Sequence, residues 1–252
     1  MKTNITSYYR KHDSFTKYVI TNKPRVKQLS GLYAANRRYF GRRVLDLACG
    51  GGVLGFILER DKHRYTGIDI NPDMISSARN YARRVNSRNR YITGDIMQMK
   101  IEGTFDTICI LGNALCHFSA YDLSRILQNM DGSYPKTAYF IVDYRDMVLL
   151  MFNKRWNVKK RLVDNARGRI SITEDCDTRA GFVRVLGTDF YGKSKVRFGH
   201  AIWSPFIISA IMNAFGWSLV RRRFSKRWSG WLDIYRRSSL PKLLAETAFW
   251  SS

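Results

Sequence analysis

A chain of 252 residues with 45% hydrophobic and 25% charged residues can bury a full core without disulfide staples, which excludes wholesale disorder. Forty-three Lys and Arg against 20 Asp and Glu give a net charge of +23, which excludes an evenly charged surface. The four cysteines, Cys49, Cys109, Cys116 and Cys176, form no CxxC pair; neither a zinc knuckle nor a disulfide scaffold is supported, no metal site is expected, and a reducing cytoplasm is the simplest setting.

The N-terminus, MKTNITSYYRKHDSF, has no apolar h-region, so no signal peptide is expected. Residues 1–42 read as an N-terminal helical cap. Arg43–Cys49 is an apolar strand, followed by Gly50-Gly51-Gly52 and a short helix over Val53–Arg60. Tyr65–Ile70 is a second strand. Asn71-Pro72-Asp73 then opens a helix: Asn caps, Pro takes the first position, and Asp faces the positive end of the dipole. Met74, Ile75, Ala78, Ala82 and Val85 repeat at helical spacing behind it.

Arg90–Thr93 is a third strand, ended by Gly94-Asp95, and Phe105–Leu111 a fourth. Leu123, Ile126, Leu127 and Met130 give the next helix one apolar face, and Lys136–Tyr144 is a fifth strand. This alternation predicts an α/β, Rossmann-like parallel sheet covered on both faces. Beyond it, Arg169–Asp177, Phe182–Tyr191 and Lys195–Trp203 read as an antiparallel meander. The apolar run Ala201–Trp217 is too short and too polar to span a membrane, and Ser204-Pro205 opens a core helix within it. Ser218–Phe224 and Trp231–Arg236 close the fold as an antiparallel hairpin. The expected organisation is a ligand-binding domain over 43–152 and 204–238, a β insertion over 153–203 and a tail over 239–252.

The charge is unevenly placed. Residues 1–43 carry net +10, residues 153–200 net +7 and residues 201–252 net +6, while residues 44–152 are neutral. The flanks either form an anion-attracting surface or are a solvated basic face.

Gly50-x-Gly52-x-x-Gly55 formally matches a dinucleotide fingerprint. Asp46 lies in the strand before it, Asp69 ends the second strand and Asp95 follows the third, so three carboxylates converge on one sheet edge. NAD would use Asp69 for its ribose but has no use for Asp46. A ligand with a cationic sulfonium, an ammonium, a ribose and an adenine, but no phosphate, uses all three.

VLDLACGGG (Val44–Gly52), GIDI (Gly67–Ile70) and TGD (Thr93–Asp95) resemble the motifs of class I S-adenosylmethionine-dependent methyltransferases. The resemblance covers roughly residues 43–144. It implies that Gly50 and Gly52 border the methionine part of S-adenosyl-L-methionine, that Asp69 binds the ribose hydroxyls and that Ile70 packs on the adenine. It also implies that Asp95, with Ile96 beside it, takes the adenine amino group. Gly51 stands where many members carry Thr or Ser.

The segment after the fourth strand, Leu111-Gly112-Asn113-Ala114-Leu115-Cys116-His117-Phe118, lacks the prolines of enzymes that methylate exocyclic base amines. It is similar to the matching segment of glycine and sarcosine N-methyltransferases, with Leu111 at the cofactor. That group has a Tyr–Arg pair near the spacing of Tyr18 and Arg25, the Arg taking the cofactor carboxylate. Its strand-five ending resembles Val142-Asp143-Tyr144-Arg145, whose Arg clamps a substrate carboxylate. The resemblance implies methyl transfer to an amine of a small anionic acceptor, with Arg145 and Asn113 on the acceptor and His117 taking a proton. Cys116 reads as a buried structural thiol.

Two rivals stand beside this reading. An RNA methyltransferase would use Tyr8-Tyr9-Arg10-Lys11, Arg37-Arg38-Tyr39 and Arg221-Arg222-Arg223-Phe224 as basic stacking platforms. A peripheral enzyme at an anionic membrane would seat Trp228, Trp231, Leu243, Leu244, Phe249 and Trp250 in the interface.

Overall fold

The computed structural model describes residues 23–130, 132–153, 161–164, 169–189, 195–226 and 229–238. Tyr18, the Tyr8–Lys11 cluster, Trp228 and the tail aromatics lie outside the described residues.

In chain order the elements are α1 (Lys23–Asn36), β1 (Arg43–Leu47), α2 (Val53–Leu58), β2 (Arg64–Asp69), α3 (Pro72–Arg84), β3 (Arg90–Thr93), β4 (Thr107–Ile110), α4 (Ala120–Asn129), β5 (Tyr139–Arg145) and α5 (Met147–Phe152). They continue with β6 (Arg161–Asp164), β7 (Arg169–Asp177), β8 (Phe182–Asp189), β9 (Lys195–Ala201), α6 (Pro205–Ala214), β10 (Trp217–Ser225) and β11 (Gly230–Arg237).

Seven strands form one sheet in the order β10-β11-β5-β4-β1-β2-β3. The five from β1 to β5 are parallel, while β11 runs antiparallel to both β5 and β10. A second sheet, β6-β7-β8-β9, is wholly antiparallel. The Rossmann-like sheet, the closing hairpin and the antiparallel insertion are as the sequence pattern predicts.

Period-2 alternation explains the two cores. Leu45, Leu47, Ile68, Ile108, Ile110, Phe140 and Val142 point to one face, under Leu123 and Ile126 of α4 and Ile208 and Met212 of α6. Val44, Cys109 and Ile141 point to the other, under Leu29 of α1, Leu54 of α2 and Ile75 of α3. β4 is buried at every position, as a strand covered on both faces must be. The Asn71 side chain caps α3, accepting from the Asp73 and Met74 amides at 2.9 and 3.3 Å.

Element ends moved where backbone geometry overrides apolarity. β1 stops at Leu47 because Ala48 takes φ +57°, which turns Cys49 out of the strand. β5 starts at Tyr139, not Lys136, because a turn closed from the Ala138 amide to the Pro135 carbonyl occupies its start. Phe105 precedes β4 and donates its amide to the Ser133 carbonyl instead of a strand neighbour. The insertion gains a fourth strand, β6, which sequence reasoning did not anticipate.

Trp203 joins the insertion to the sheet. Its indole Nε1 donates to the Leu115 and Phe118 carbonyls at 2.9 and 3.0 Å, and its own carbonyl accepts from the Met147 amide at 2.9 Å. One residue thus ties together the segments that follow β4, β5 and β9.

Candidate active site

The strand order reverses between β1 and β4, and in such sheets a ligand binds beyond the carboxyl ends of the strands at that switch. The loop leaving β1 carries Gly50 at φ +55° and Gly52 at φ +69°. A side chain at Gly50 would stand in open space, so the loop leaves room there for a ligand to approach; one at Gly52 would run into the Tyr91 ring.

Asp69, at the end of β2, is tied to this loop. Its Oδ2 accepts from the Gly50 amide at 2.7 Å and its Oδ1 from the Asn71 amide at 2.8 Å. Each oxygen keeps a second lone pair for a ligand hydroxyl. Burial raises its pKa, and the two amides pull it back down. Ile70 beside it is 47% exposed and so open to a flat ligand.

Asp46 is buried in β1, with Oδ2 accepting from the Tyr65 hydroxyl at 2.7 Å. Burial pushes its pKa up to about 7, against the opposing pull of the Tyr65 hydrogen bond and the Arg25 charge. Arg25 of α1 lies over the loop after β4: a side chain at Gly112 would collide with its guanidinium. Its charge also bears on Asp143, whose carboxyl is otherwise raised by burial. Asp69 is tied to the glycine loop, and the charges of Arg25 and Asp69 both reach Asp46.

Asp95 is spent more locally than expected. Its Oδ1 accepts from the Met97 amide at 3.0 Å and its Oδ2 from the Gln98 side chain at 2.9 Å, making it a turn cap as well as an adenine candidate. Ile96 and Leu111 are both buried.

After β4, Asn113 has φ +61°, donates its backbone amide to Asp143 Oδ1 at 2.7 Å and accepts from the Arg145 amide on Oδ1 at 3.0 Å. It locks the ends of β4 and β5 together. The carboxylates next to Arg145 are otherwise engaged: Asp146 caps α5 through the Leu149 amide and takes the Trp231 indole at 2.9 Å. His117 lies in a short 3-10 turn, Ala114–His117, behind Asn113.

The residue that sequence reasoning missed is His200, on β9 of the insertion. Its ring centroid is 5.9 Å from that of His117. Burial lowers the pKa of His117 to about 4. Burial, with the charges of His117 and Arg145, lowers that of His200 to about 3. Both imidazoles are neutral at pH 7. Cys116 is buried as expected, but it adjoins this pair: its Sγ lies 3.7 Å from both ring nitrogens of His117.

Residues 44–133 match the family model described as a methyltransferase domain. Such domains use S-adenosylmethionine, and the open loop at Gly50, the buried carboxylates and Arg25 fit its ribose, cationic groups and carboxylate without a phosphate site.

Over 92 residues this chain is 27% identical to a mitochondrial ubiquinone biosynthesis O-methyltransferase of Schizosaccharomyces pombe, covering 35% of this chain and 34% of that protein. A ubiquinone biosynthesis O-methyltransferase of Vibrio parahaemolyticus is 32% identical over 71 residues, covering 27% and 30%. The chain thus spans about a third of the length of these curated relatives. Among solved structures, an S-adenosylmethionine-dependent methyltransferase from Clostridium acetobutylicum has a TM-score of 0.68 at 16% identity over 92% of this chain and all of that one. At that identity the likeness concerns the fold.

Among the described residues, parts of the basic clusters weighed for RNA are engaged within the protein. Tyr39 is buried under Arg38, and Arg222 is committed to Asp233 at 2.7 Å. Phe224, half-exposed, packs against Trp231 with the rings tilted at 52°. Among the described residues no helix is long and apolar enough to cross a membrane.

The raised Asp46 carboxyl gives a signed expectation. A carboxyl whose pKa rises on folding adds stability below its ordinary value of 3.8 and loses it as pH climbs through about 7. A cationic ligand favours the ionised form, so S-adenosylmethionine affinity rises from pH 6 toward 8, by at most about tenfold per unit below the pKa, and then levels. Titration calorimetry across this range checks it. Asp46→Asn should flatten the profile, and an equally steep profile in that variant rules Asp46 out.

Proposed function

We propose that this protein is an S-adenosylmethionine-dependent methyltransferase acting on a small acceptor whose anionic group is held by Arg145. The observation that carries the reading is an open glycine loop tied to Asp69, with the charges of Arg25 and Asp69 both reaching Asp46. The bound cofactor supplies a methyl carbon on a cationic sulfur. Arg25 takes its carboxylate, Asp69 its ribose, Asp95 and Ile96 its adenine edge, Ile70 its adenine face, and Leu111 lines the pocket; Tyr18 joins Arg25 by the family resemblance.

The acceptor's lone pair attacks in line, and a neutral thioether leaves, so no oxyanion hole is needed. Positioning supplies most of the acceleration, up to about 7–11 kcal/mol in ideal intramolecular cases. Asn113 sets the β4–β5 corner, Arg145 orients the acceptor and His117 takes the proton. The resemblance to glycine and sarcosine N-methyltransferases favours an amine. The site's own chemistry, a guanidinium beside neutral imidazoles, favours an acceptor oxygen equally well, in keeping with the O-methyltransferase names of the curated relatives. RNA methylation rests on the charge map and on the aromatics among the basic residues. A cytoplasmic setting follows from the cysteine usage.

Calorimetry with S-adenosylmethionine and NAD tests the cofactor: the first should bind and the second should not, and the reverse sinks the reading. Asp69→Ala should weaken binding by about 1–3 kcal/mol, the cost of leaving buried donors unpaired. Incubating the protein with radiolabelled cofactor and fractionated extract then identifies the acceptor class. On that acceptor, Arg145→Ala should raise KM while cofactor affinity holds; a collapse of cofactor affinity in a folded variant would reassign Arg145.

A further inference from the structure

Three side chains from two distant parts of the chain meet at the acceptor corner. Cys116 and His117 belong to the turn after β4, and His200 comes from β9 of the insertion. One donor atom from each, a sulfur and two imidazole nitrogens, lies within 4.8 Å of the others. Two ligands of one tetrahedral zinc ion, with Zn–S about 2.3 Å and Zn–N about 2.0 Å, stand about 3.5 Å apart. The Cys116–His117 separation of 3.7 Å is already close to that, and rotamer adjustment of His200 completes the set.

We propose that Cys116, His117 and His200 bind one divalent ion of the zinc class, with a fourth position open on the acceptor side beside Arg145.

One thiolate and two imidazoles form a borderline-soft donor set, which suits zinc and its first-row neighbours and not magnesium or calcium. A coordinated thiol loses its proton outright. The thiolate cancels one of the ion's two charges. The residual charge and Arg145 then form a paired receptor for an anionic or ionisable acceptor oxygen. The site also clasps the insertion to the sheet, so it exists only when the two are docked. This inference rests on the methyltransferase reading for the identity of the acceptor side, and it changes one role there: in the loaded protein His117 is a ligand, and the ion lowers the acceptor's pKa.

The test uses the untagged full chain, stripped with chelator and then titrated with Zn2+, and separately with Co2+ as a spectroscopic probe. One ion per chain and a thiolate-to-cobalt charge-transfer band are expected. Cys116→Ser and His200→Asn should each lower zinc affinity at least about 100-fold, since even indirect partners of metal ligands cost 10–100-fold. Cys176→Ser, altered on β7, should leave binding unchanged. Substoichiometric uptake, a cobalt spectrum without the thiolate band, or affinity unmoved in folded variants overturns the proposal. If a variant fails to fold, the wild-type cobalt spectrum decides alone. S-adenosylmethionine binding measured on the same preparations keeps the two readings apart: metal without cofactor refutes the enzyme assignment, and cofactor without metal refutes this site.

Discussion

Gly52→Ala should destabilise the protein by about 2–5 kcal/mol and abolish S-adenosylmethionine binding. Two independent costs add. The residue sits at φ +69°, where a Cβ costs roughly 1–2 kcal/mol. That Cβ would also meet the Tyr91 ring, and overpacking a filled core costs about 1–3 kcal/mol more. Tyr91 cannot step aside easily: it is buried, its ring lies 5.7 Å from that of Tyr65 and 5.8 Å from that of Phe56, and its hydroxyl donates to the Gly52 carbonyl at 3.3 Å. Gly50→Ala is the informative contrast. It carries the backbone cost but meets no neighbour, so stability should fall by only about 1–2 kcal/mol while cofactor binding still suffers. Urea unfolding and calorimetry on both variants check this, and equal stability losses would contradict the account.

Arg222→Met should cost about 3–5 kcal/mol, the penalty for stranding one half of a buried ion pair. Asp233 is fully buried in β11, and Arg222 reaches it from β10 with Nε at 2.8 Å and Nη2 at 2.7 Å. The hydroxyls of Tyr144 and Tyr235 donate to the same Oδ2 at 2.8 and 3.0 Å, and Ser209 of α6 accepts from the guanidinium at 2.8 Å. Removing the cation leaves a carboxylate that two phenols cannot neutralise. The double variant Arg222→Met, Asp233→Leu removes both charges and should recover part of the loss. If the single variant unfolds at the wild-type urea midpoint, the network does not stabilise the hairpin.

The parallel sheet was legible because β1, β4 and β5 are short apolar runs with turn residues at their ends, and both faces of the sheet need apolar cover. The cofactor side was legible for a related reason. Gly50, Asp46 and Asp69 lie within 24 residues, on consecutive strand ends, so the βαβ geometry alone brings them together. Arg25 needed the family resemblance, because nothing in the apolar pattern of α1 aims it at Gly112. The acceptor side was half legible. Asn113 and Arg145 follow adjacent strands, but His200 lies in a meander where strand alternation says only which face a side chain takes, not which distant turn it meets. Asp95 shows the opposite limit: its position was readable, its use as a turn cap was not, since that depends on the local path of Met97 and Gln98. In a run such as Arg221-Arg222-Arg223 the side chains alternate across β10, so neighbours in sequence serve opposite faces.

β11 docks between β10 and β5, and its Asp233 meets Tyr144 across 89 residues of chain. That pairing makes the whole insertion a loop during folding. Closing a loop this long adds little more free energy than closing one half its length, because the entropic cost grows only with the logarithm of length. The consequence falls on rate instead. Contacts this distant in sequence slow the search, and until β11 arrives the open edge of β5 is a template for another chain. An insertion that first collapses into its own antiparallel sheet shortens the effective loop, so the same segment that carries His200 can act as a timing element in the birth of the molecule. The sequence would then be under selection at β7, β8 and β9 for early hairpin formation as well as for what those strands contribute to the finished protein.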